Sequence, residues 1–228
     1  MKNKITDIFF DLDHTLWDFE KNSALTFQKI FLKNKLDVNL DQFLESYIPI
    51  NRKYWILFSQ DKVLKEDLKY KRLQESFSKI EYKIEQKLIQ QLSEDYVVHL
   101  SDHNFLFDDA HEVLKNLSST YKLHIITNGF KEVQHLKLKN SKIDHYFNII
   151  ITSDDVGVKK PHPFIFESAL GKANVNARAS LMVGDNLEAD IYGAERAGIE
   201  SVLFDPENKI DHKGLKIKTL KELETLLN

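Results

Sequence analysis

The sequence has no cysteine, and its 228 residues include only 4 prolines and 7 glycines. Without cysteine the chain can form neither disulfides nor thiolate metal sites. The chain has a net charge of −3 and therefore does not have the excess of basic residues expected of a protein that binds nucleic acid polymers. No apolar run approaches the ~18 residues of a membrane span, and Asp11 and Asp13 interrupt the N-terminal run that a secretory signal would need. We therefore expect a soluble, cytoplasmic protein that binds neither a membrane nor a nucleic acid polymer.

Glycine is unevenly distributed, since every glycine lies at or after Gly129. Residues 16–105 contain no glycine and one proline, Pro49, and their apolar residues recur at helical spacing. This pattern predicts an all-helical module in which Pro49 kinks or ends one helix.

The rest of the chain alternates between short apolar runs and amphipathic stretches. The predicted strands are 5–10, 123–126, 149–152, 181–183 and 201–204, and the predicted helices are 109–118, 131–140, 163–173 and 187–197. Such alternation is typical of a parallel sheet with both faces covered. We predict an α/β fold with a Rossmann-like parallel-sheet core, residues 1–15 and 106–228, and an all-helical cap, residues 16–105, inserted after the first strand.

Polar residues follow four of the predicted strands. They are Asp11, Asp13 and Thr15, then Thr127, Asn128 and Gly129, then Lys159 and Lys160, and finally Asp185 with Asp190. Each group alone is typical of a turn or a helix cap. Because the carboxyl ends of parallel strands meet at one edge of a sheet, the groups together predict a site. Converging carboxylates beside a lysine favour a divalent cation and a phosphate, and oxygen ligands suit Mg²⁺.

The four groups resemble the motifs of haloacid dehalogenase-superfamily phosphotransferases. The matching residues are the DxDxT motif at Asp11, Asp13 and Thr15, then Thr127, then Lys160 before Pro161, then Gly184-Asp185 with Asp190. The position of the insertion matches that superfamily's helical cap of the first type. The strings DLDHTLWDF, IITNGF, VGVKKPHPFIF and MVGDNLEADIYGAERAG resemble the bacterial pyrimidine 5′-nucleotidase branch, which hydrolyses nucleoside monophosphates.

The first motif is expected to carry the chemistry. Asp11 would be the nucleophile and form an aspartyl-phosphate. Asp13 would protonate the leaving group as general acid and later act as base on the hydrolytic water. The resemblance adds that the Asp13 backbone carbonyl binds the metal. It also implies that members which expel halide lack the second aspartate, so Asp13 favours phosphoryl transfer.

The other motifs are expected to bind phosphate and metal. The Thr127 hydroxyl and the Asn128 backbone N–H would hold the phosphoryl oxygens, and Gly129 would allow close approach of the chain. Lys160 would bridge Asp11 and the phosphate. Lys159 competes for that role, but the family places the lysine immediately before proline. Asp185 would be a Mg²⁺ ligand together with Asp11 and Asp13, and Asp190 would hold the lysine or a metal-bound water.

The substrate and some other side chains allow alternatives. A phosphatase or mutase acting on another small metabolite, such as a sugar phosphate or phosphoglycolate, and a catalytically silent binding protein on this fold are the competing functions. Trp55 could stack on a flat base or belong to the core of the cap. His99 and His103 have a spacing that can bind zinc but are more typical of a surface pair, and His124 is predicted to be a hydrogen-bonded core histidine.

Overall fold

A computed structural model describes residues 5–227, so the first four residues and the last residue of the predicted core lie outside it. Its six strands form one parallel sheet with the order β3-β2-β1-β4-β5-β6. The strands are β1 (Asp7–Phe10), β2 (Lys122–Thr127), β3 (Phe147–Thr152), β4 (Ser180–Gly184), β5 (Glu200–Phe204) and β6 (Leu215–Ile217). The predicted α/β fold with a parallel-sheet core and a helical insertion is confirmed.

Strand β1 lies at the centre of the sheet and pairs with both β2 and β4. Every residue of β1 and of β4 is buried, which suits strands covered on both faces. One face packs its apolar side chains against Ile165 and Phe166, and the strand residues in this core include Phe9, Ile126 and Met182. The centre of the sheet therefore places the residues that follow β1 beside those that follow β2 and β4.

Helices α5 (Ala110–Ser118), α6 (Lys131–Asn140) and α8 (Pro163–Ala173) lie close to the predicted positions. The same part of the chain also contains α7 (Ser153–Val156), α9 (Gly193–Arg196) and α10 (Glu222–Leu227). The stretch predicted as one helix over 187–197 is instead a π-helical segment, Leu187–Tyr192, followed by α9. Strand β6 was not predicted, because its three residues carry a lysine and only Ile217 is buried.

Contacts between residues divide the chain into two units, Met1–Asp18 with Asn104–Asn228, and Phe19–His103. The second unit contains α1 (Phe19–Lys33), α2 (Leu40–Ser59), α3 (Lys65–Lys79) and α4 (Gln86–His99). Its core is aromatic, with Phe27 and Phe43 in edge contact at 4.9 Å between ring centroids. Helix α2 continues through Pro49, so of the two predicted effects of this proline, a kink or the end of a helix, the second is excluded.

No helix among residues 5–227 is long and apolar enough to cross a membrane.

Candidate active site

The predicted site residues from the first, second and fourth motifs lie at the carboxyl ends of β1, β2 and β4. Asp11 directly follows β1, and its backbone N–H donates to the Val183 carbonyl at 2.9 Å, which continues the pairing with β4. Thr127 is the last residue of β2, and Asp185 directly follows β4. The central position of β1 thus brings these three residues to one edge of the sheet.

The Lys160 ammonium joins two of the predicted carboxylates. Its Nζ lies 2.6 Å from Asp11 Oδ1 and 2.6 Å from Asp190 Oδ1, and it also donates to the Ile126 carbonyl at 2.7 Å. All three N–H groups of the ammonium therefore have acceptors, as a buried lysine requires. Lys160 is only 2% exposed, whereas Lys159 is half-buried.

Three carboxylates form a compact cluster. One oxygen from each of Asp11, Asp185 and Asp190 lies within 4.8 Å of the others. Burial raises the pKa of Asp11 well above its ordinary value, and although Lys160 opposes this rise, Asp190 and Asp185 add to it. Burial and repulsion from Asp190 also raise the pKa of the half-buried Asp185 to about 8. Because each carboxylate disfavours ionisation of the others, the donor set fits a hard divalent cation such as Mg²⁺.

The lysine itself keeps its charge in this environment. Burial alone lowers the pKa of Lys160, but the carboxylates of Asp11 and Asp190 outweigh burial and leave that pKa above the ordinary value. The Asp190 contact corresponds to one of the two roles that the sequence left open for that residue, since it holds the lysine.

The π-helical segment after β4 orients Asp190. The Asn186 side chain caps the segment by accepting the Glu188 and Ala189 N–H groups at 3.1 and 2.9 Å. The second oxygen of Asp190 accepts the Asn186 N–H at 3.0 Å. A Cβ at Gly184 would lie 2.4 Å from the Asp190 carboxyl group, so only glycine leaves room for it.

The turn after β2 is built around glycine and asparagine. The Gly129 N–H donates to Thr127 Oγ1 at 3.1 Å. A Cβ at Gly129 would lie 1.6 Å from Gln134 Nε2, so the glycine makes room for a protein side chain. The Asn128 side chain pairs with the backbone of Lys160, donating to its carbonyl at 2.9 Å and accepting its N–H at 2.7 Å. Thr127, Asn128 and Lys160 are thus neighbours.

Two residues that sequence reasoning missed hold the Asp13 side chain. Lys137 Nζ lies 2.5 Å from Asp13 Oδ1, and Gln134 Nε2 donates to Asp13 Oδ2 at 2.8 Å. Both residues are 1% exposed on helix α6. The Asp13 side chain is not a member of the carboxylate cluster found among the described residues. The remaining motif residue, Thr15, donates its hydroxyl to Asp185 Oδ1 at 3.3 Å.

Two of the histidines outside the motifs, His99 and His124, have local hydrogen-bond partners. His124 Nε2 lies 2.8 Å from Asp7 Oδ1, and its ring stacks on Phe9 at 4.7 Å between centroids, which agrees with a core histidine. His99, at the end of α4, hydrogen-bonds Asp102 at 2.7 Å, and His103 lies beyond that helix.

The aromatic residues of α2 differ in burial. Tyr54 is 9% exposed and Phe58 is 7% exposed, so both belong to the core of the helical unit. Trp55 is only half-buried and makes an edge contact with Phe58 at 5.6 Å between ring centroids. The two alternatives for Trp55 therefore remain open.

Residues 8–204 match the haloacid dehalogenase-like hydrolases. The chain belongs to this family of hydrolases.

Its similarity to individual proteins extends over nearly the whole chain. The pyrimidine 5′-nucleotidase YjjG of Escherichia coli is 28% identical over 225 residues, which is 96% of this chain and 96% of YjjG. A glyceraldehyde 3-phosphate phosphatase of Pyrococcus abyssi is 34% identical over 206 residues, which is 86% of this chain and 80% of that protein. The crystal structure of YfnB from Bacillus subtilis, bound to magnesium, aligns with a TM-score of 0.88 at 28% identity and covers 99% of both chains. The predictions of a haloacid dehalogenase-superfamily phosphatase and of a phosphoric monoester hydrolase are thereby confirmed.

Proposed function

We propose that the protein is a Mg²⁺-dependent phosphomonoester hydrolase that works through an aspartyl-phosphate on Asp11. The observation that carries the proposal is the Lys160 ammonium, held 2.6 Å from both Asp11 and Asp190. A carboxylate that attacks a phosphate dianion meets like-charge repulsion, and a fixed cation beside the nucleophile lowers that barrier.

The first motif supplies the reacting groups. Asp11 Oδ1 accepts the hydrogen bond from Lys160 Nζ, so the other oxygen, Oδ2, attacks phosphorus while the bond to the leaving oxygen breaks. Asp13 gives a proton to the leaving oxygen and then takes one from the water that hydrolyses the aspartyl-phosphate. Lys160 remains charged throughout and offsets the negative charge of the phosphoryl group.

The remaining residues bind phosphate and metal. The Thr127 hydroxyl and the backbone N–H of Asn128 would donate to phosphoryl oxygens. Asp11, Asp185 and the backbone carbonyl of Asp13 would hold Mg²⁺, which supplies positive charge beside the phosphoryl oxygens. Asp190 keeps Lys160 in place. The crystal structure of YfnB, which is bound to magnesium, supports magnesium as the cation.

A (deoxy)pyrimidine nucleoside 5′-monophosphate is our first choice of substrate. The long motif strings and the nucleotidase relative from E. coli favour it. A sugar phosphate or another small phosphometabolite is the second candidate, because the Pyrococcus relative with 34% identity is a glyceraldehyde 3-phosphate phosphatase. The division into a catalytic core (1–15 and 106–228) and a helical cap (16–105), and the cytoplasmic location, stay predictions.

Phosphate release from a substrate panel tests the proposal. The panel contains uridine, deoxyuridine and thymidine 5′-monophosphates, purine monophosphates, glyceraldehyde 3-phosphate and phosphoglycolate, each with Mg²⁺ and with EDTA. We expect metal-dependent turnover that is highest on the pyrimidine nucleotides. Equal rates on purine and pyrimidine nucleotides, or a preference for a sugar phosphate, would remove the pyrimidine assignment.

Substitution of the nucleophile tests the chemistry. Asp11→Asn removes the attacking carboxylate and is expected to abolish turnover of every substrate. Asp144→Asn is the matched control, because Asp144 is an exposed aspartate in the same unit. A folded Asp11→Asn variant that keeps near wild-type turnover would rule out the aspartyl-phosphate.

A further inference from the structure

We propose that Lys137 and Gln134 are positioning residues that hold the Asp13 carboxyl group in the orientation in which, when protonated, it gives its proton to the leaving group. The inference rests on the proposed function, because it assigns a second layer of residues to the proposed acid and base. Neither residue belongs to the four motifs, and both lie on α6.

Lys137 holds one oxygen of the carboxylate. Its Nζ lies 2.5 Å from Asp13 Oδ1 and 4.1 Å from the centroid of the Trp17 ring, which is fully buried. The Lys137 side chain is 2% exposed. Because a buried ammonium is costly unless it is paired, the Asp13 contact and the aromatic face account for a lysine at this position.

Gln134 holds the other oxygen. Its Nε2 donates to Asp13 Oδ2 at 2.8 Å, whereas its Oε1 is buried and has no hydrogen-bond partner among residues 5–227. The bond to Asp13 is therefore what orients the amide. Because each carboxylate oxygen has its own donor, the pair of donors fixes both the position of the Asp13 carboxyl group and the rotation of its plane.

We call Lys137 and Gln134 together the Asp13 clamp. Helix α6 connects this clamp to the turn after β2, which is proposed to bind phosphate. Residues three apart on a helix share a face, so Gln134 and Lys137 both point toward Asp13. Helix α6 begins at Lys131, directly after the turn, and the Gln134 amide fills the space that a Cβ at Gly129 would take. A shift of the turn would therefore be passed to Asp13 through Gln134.

A positioning role predicts a dependence on the leaving group. An alkoxide leaving group needs a proton from Asp13, whereas p-nitrophenolate leaves without much help. Loss of correct placement typically costs about 10- to 100-fold where the proton transfer matters. The second step, in which Asp13 acts as base on water, is common to both esters, and kcat/KM excludes it because it reports only the steps up to departure of the leaving group. Lys137→Met should therefore reduce kcat/KM on a nucleoside monophosphate by about 10- to 100-fold and leave kcat/KM on p-nitrophenyl phosphate near the wild-type value.

Three variants and two esters make the test. Lys137→Met and Gln134→Leu keep the side-chain size and remove one donor each, and Lys139→Met changes an exposed lysine on the same helix as the control. Uridine 5′-monophosphate and p-nitrophenyl phosphate are assayed side by side. Selective loss on the nucleotide in both variants, with wild-type behaviour of the control, supports the proposal. Equal losses on the two esters would overturn it.

Crystal structures separate this proposal from the proposed function. If the wild-type chain hydrolyses neither ester, the proposed function has failed, and the clamp is judged from the Asp13 side chain in Lys137→Met and Gln134→Leu. A displaced or disordered carboxylate supports the clamp, whereas an unchanged carboxylate in both variants overturns it. If Lys137→Met fails to fold, the kinetic comparison and the crystal structure of Gln134→Leu alone test the proposal.

Discussion

The Asn128 side chain makes two hydrogen bonds to the backbone of Lys160: its Oδ1 accepts the Lys160 N–H at 2.7 Å, and its Nδ2 donates to the Lys160 carbonyl at 2.9 Å. This double hydrogen bond ties the loop of the third motif to the turn of the second. The ammonium of Lys160 therefore reaches Asp11 and Asp190 from a fixed starting point on the backbone.

Replacement of this lysine should damage stability as well as activity. Lys160→Met leaves Asp11 and Asp190 buried without their cation, and breaking a buried pair on one side typically costs about 3–5 kcal/mol. We expect a decrease of that size in the free energy of unfolding measured by urea denaturation, and no turnover. Lys159→Met, the neighbouring lysine, should change stability by about 0.5 kcal/mol or less. Unchanged stability in Lys160→Met would contradict the role of the ion pairs.

Mg²⁺ should reverse the effect that removing the Asp185 carboxylate has on thermal stability. Without metal, Asp185→Asn relieves repulsion in the cluster, so above the pKa of about 8 that Asp185 has in the wild type the variant should melt at a higher temperature. With Mg²⁺ the wild type should gain stability, by about 1.4 kcal/mol at ten times the Kd, and the variant should gain much less. Thermal melts with Mg²⁺ and with EDTA measure both effects, and Asp144→Asn should keep the full Mg²⁺ response. An equal response of Asp185→Asn and the wild type would exclude Asp185 as a ligand.

Two glycine-to-alanine substitutions should act in opposite directions. At Gly184 a methyl group would lie 2.4 Å from the Asp190 carboxyl group, and such overpacking typically costs about 1–3 kcal/mol. At Gly171, within α8, a methyl group meets nothing within 4 Å, so alanine should raise stability by about 0.5–1 kcal/mol. Urea denaturation of the two variants checks the pair. A Gly184→Ala variant as stable as the wild type would show that Asp190 can move away at little cost.

The buried histidine should make stability depend on pH. Burial lowers the pKa of His124 below its ordinary value even though Asp7 opposes the shift. Between the pKa in the folded state and about 6.5 in the unfolded state, the unfolded chain binds more protons. The stability that neutral His124 contributes is therefore fully present above about pH 6.5 and is lost as pH falls through its folded-state pKa.

A non-titrating variant isolates this contribution. His124→Gln keeps a donor for Asp7, so its free energy of unfolding should fall less than that of the wild type between about pH 7 and about pH 5. His145→Gln, at an exposed histidine, should follow the wild type. If His124→Gln and the wild type lose stability in parallel, the histidine remains protonated or unshifted in the folded chain.

Sequence patterns located most of the sheet because its central strands are continuous apolar runs between turn residues. The prediction was incomplete where the hydrophobic pattern does not specify the local structure. Strand β6 has three residues at the edge of the sheet, which is too short for a periodicity. The segment Leu187–Tyr192 has π-helical hydrogen bonds, and an ordinary amphipathic pattern does not distinguish these from α-helical ones. Pro49 stays inside α2, because packing of a long helix can outweigh one missing N–H.

The candidate site was predictable where its residues sit at strand ends, since topology alone brings Asp11, Thr127 and Asp185 together. The clamp on Asp13 was not predictable. In the sequence, Gln134 and Lys137 lie on a helix with three further lysines or glutamates, and such residues are typical of a solvated face. Only the three-dimensional packing shows that these two are buried. Nothing in the sequence indicated that the space beside Gly129 is filled by Gln134.

The central position of β1 has a consequence for biosynthesis. The strand partners of Asp7 are Lys122 and Ser180, so β1 leaves the ribosome well before the two strands that pair with it. The helical segment Phe19–His103 is synthesised in full during that interval. A nascent chain arrested before β4 would carry Asp11 without Asp185 or Asp190, and such a truncated chain would lack the complete carboxylate cluster.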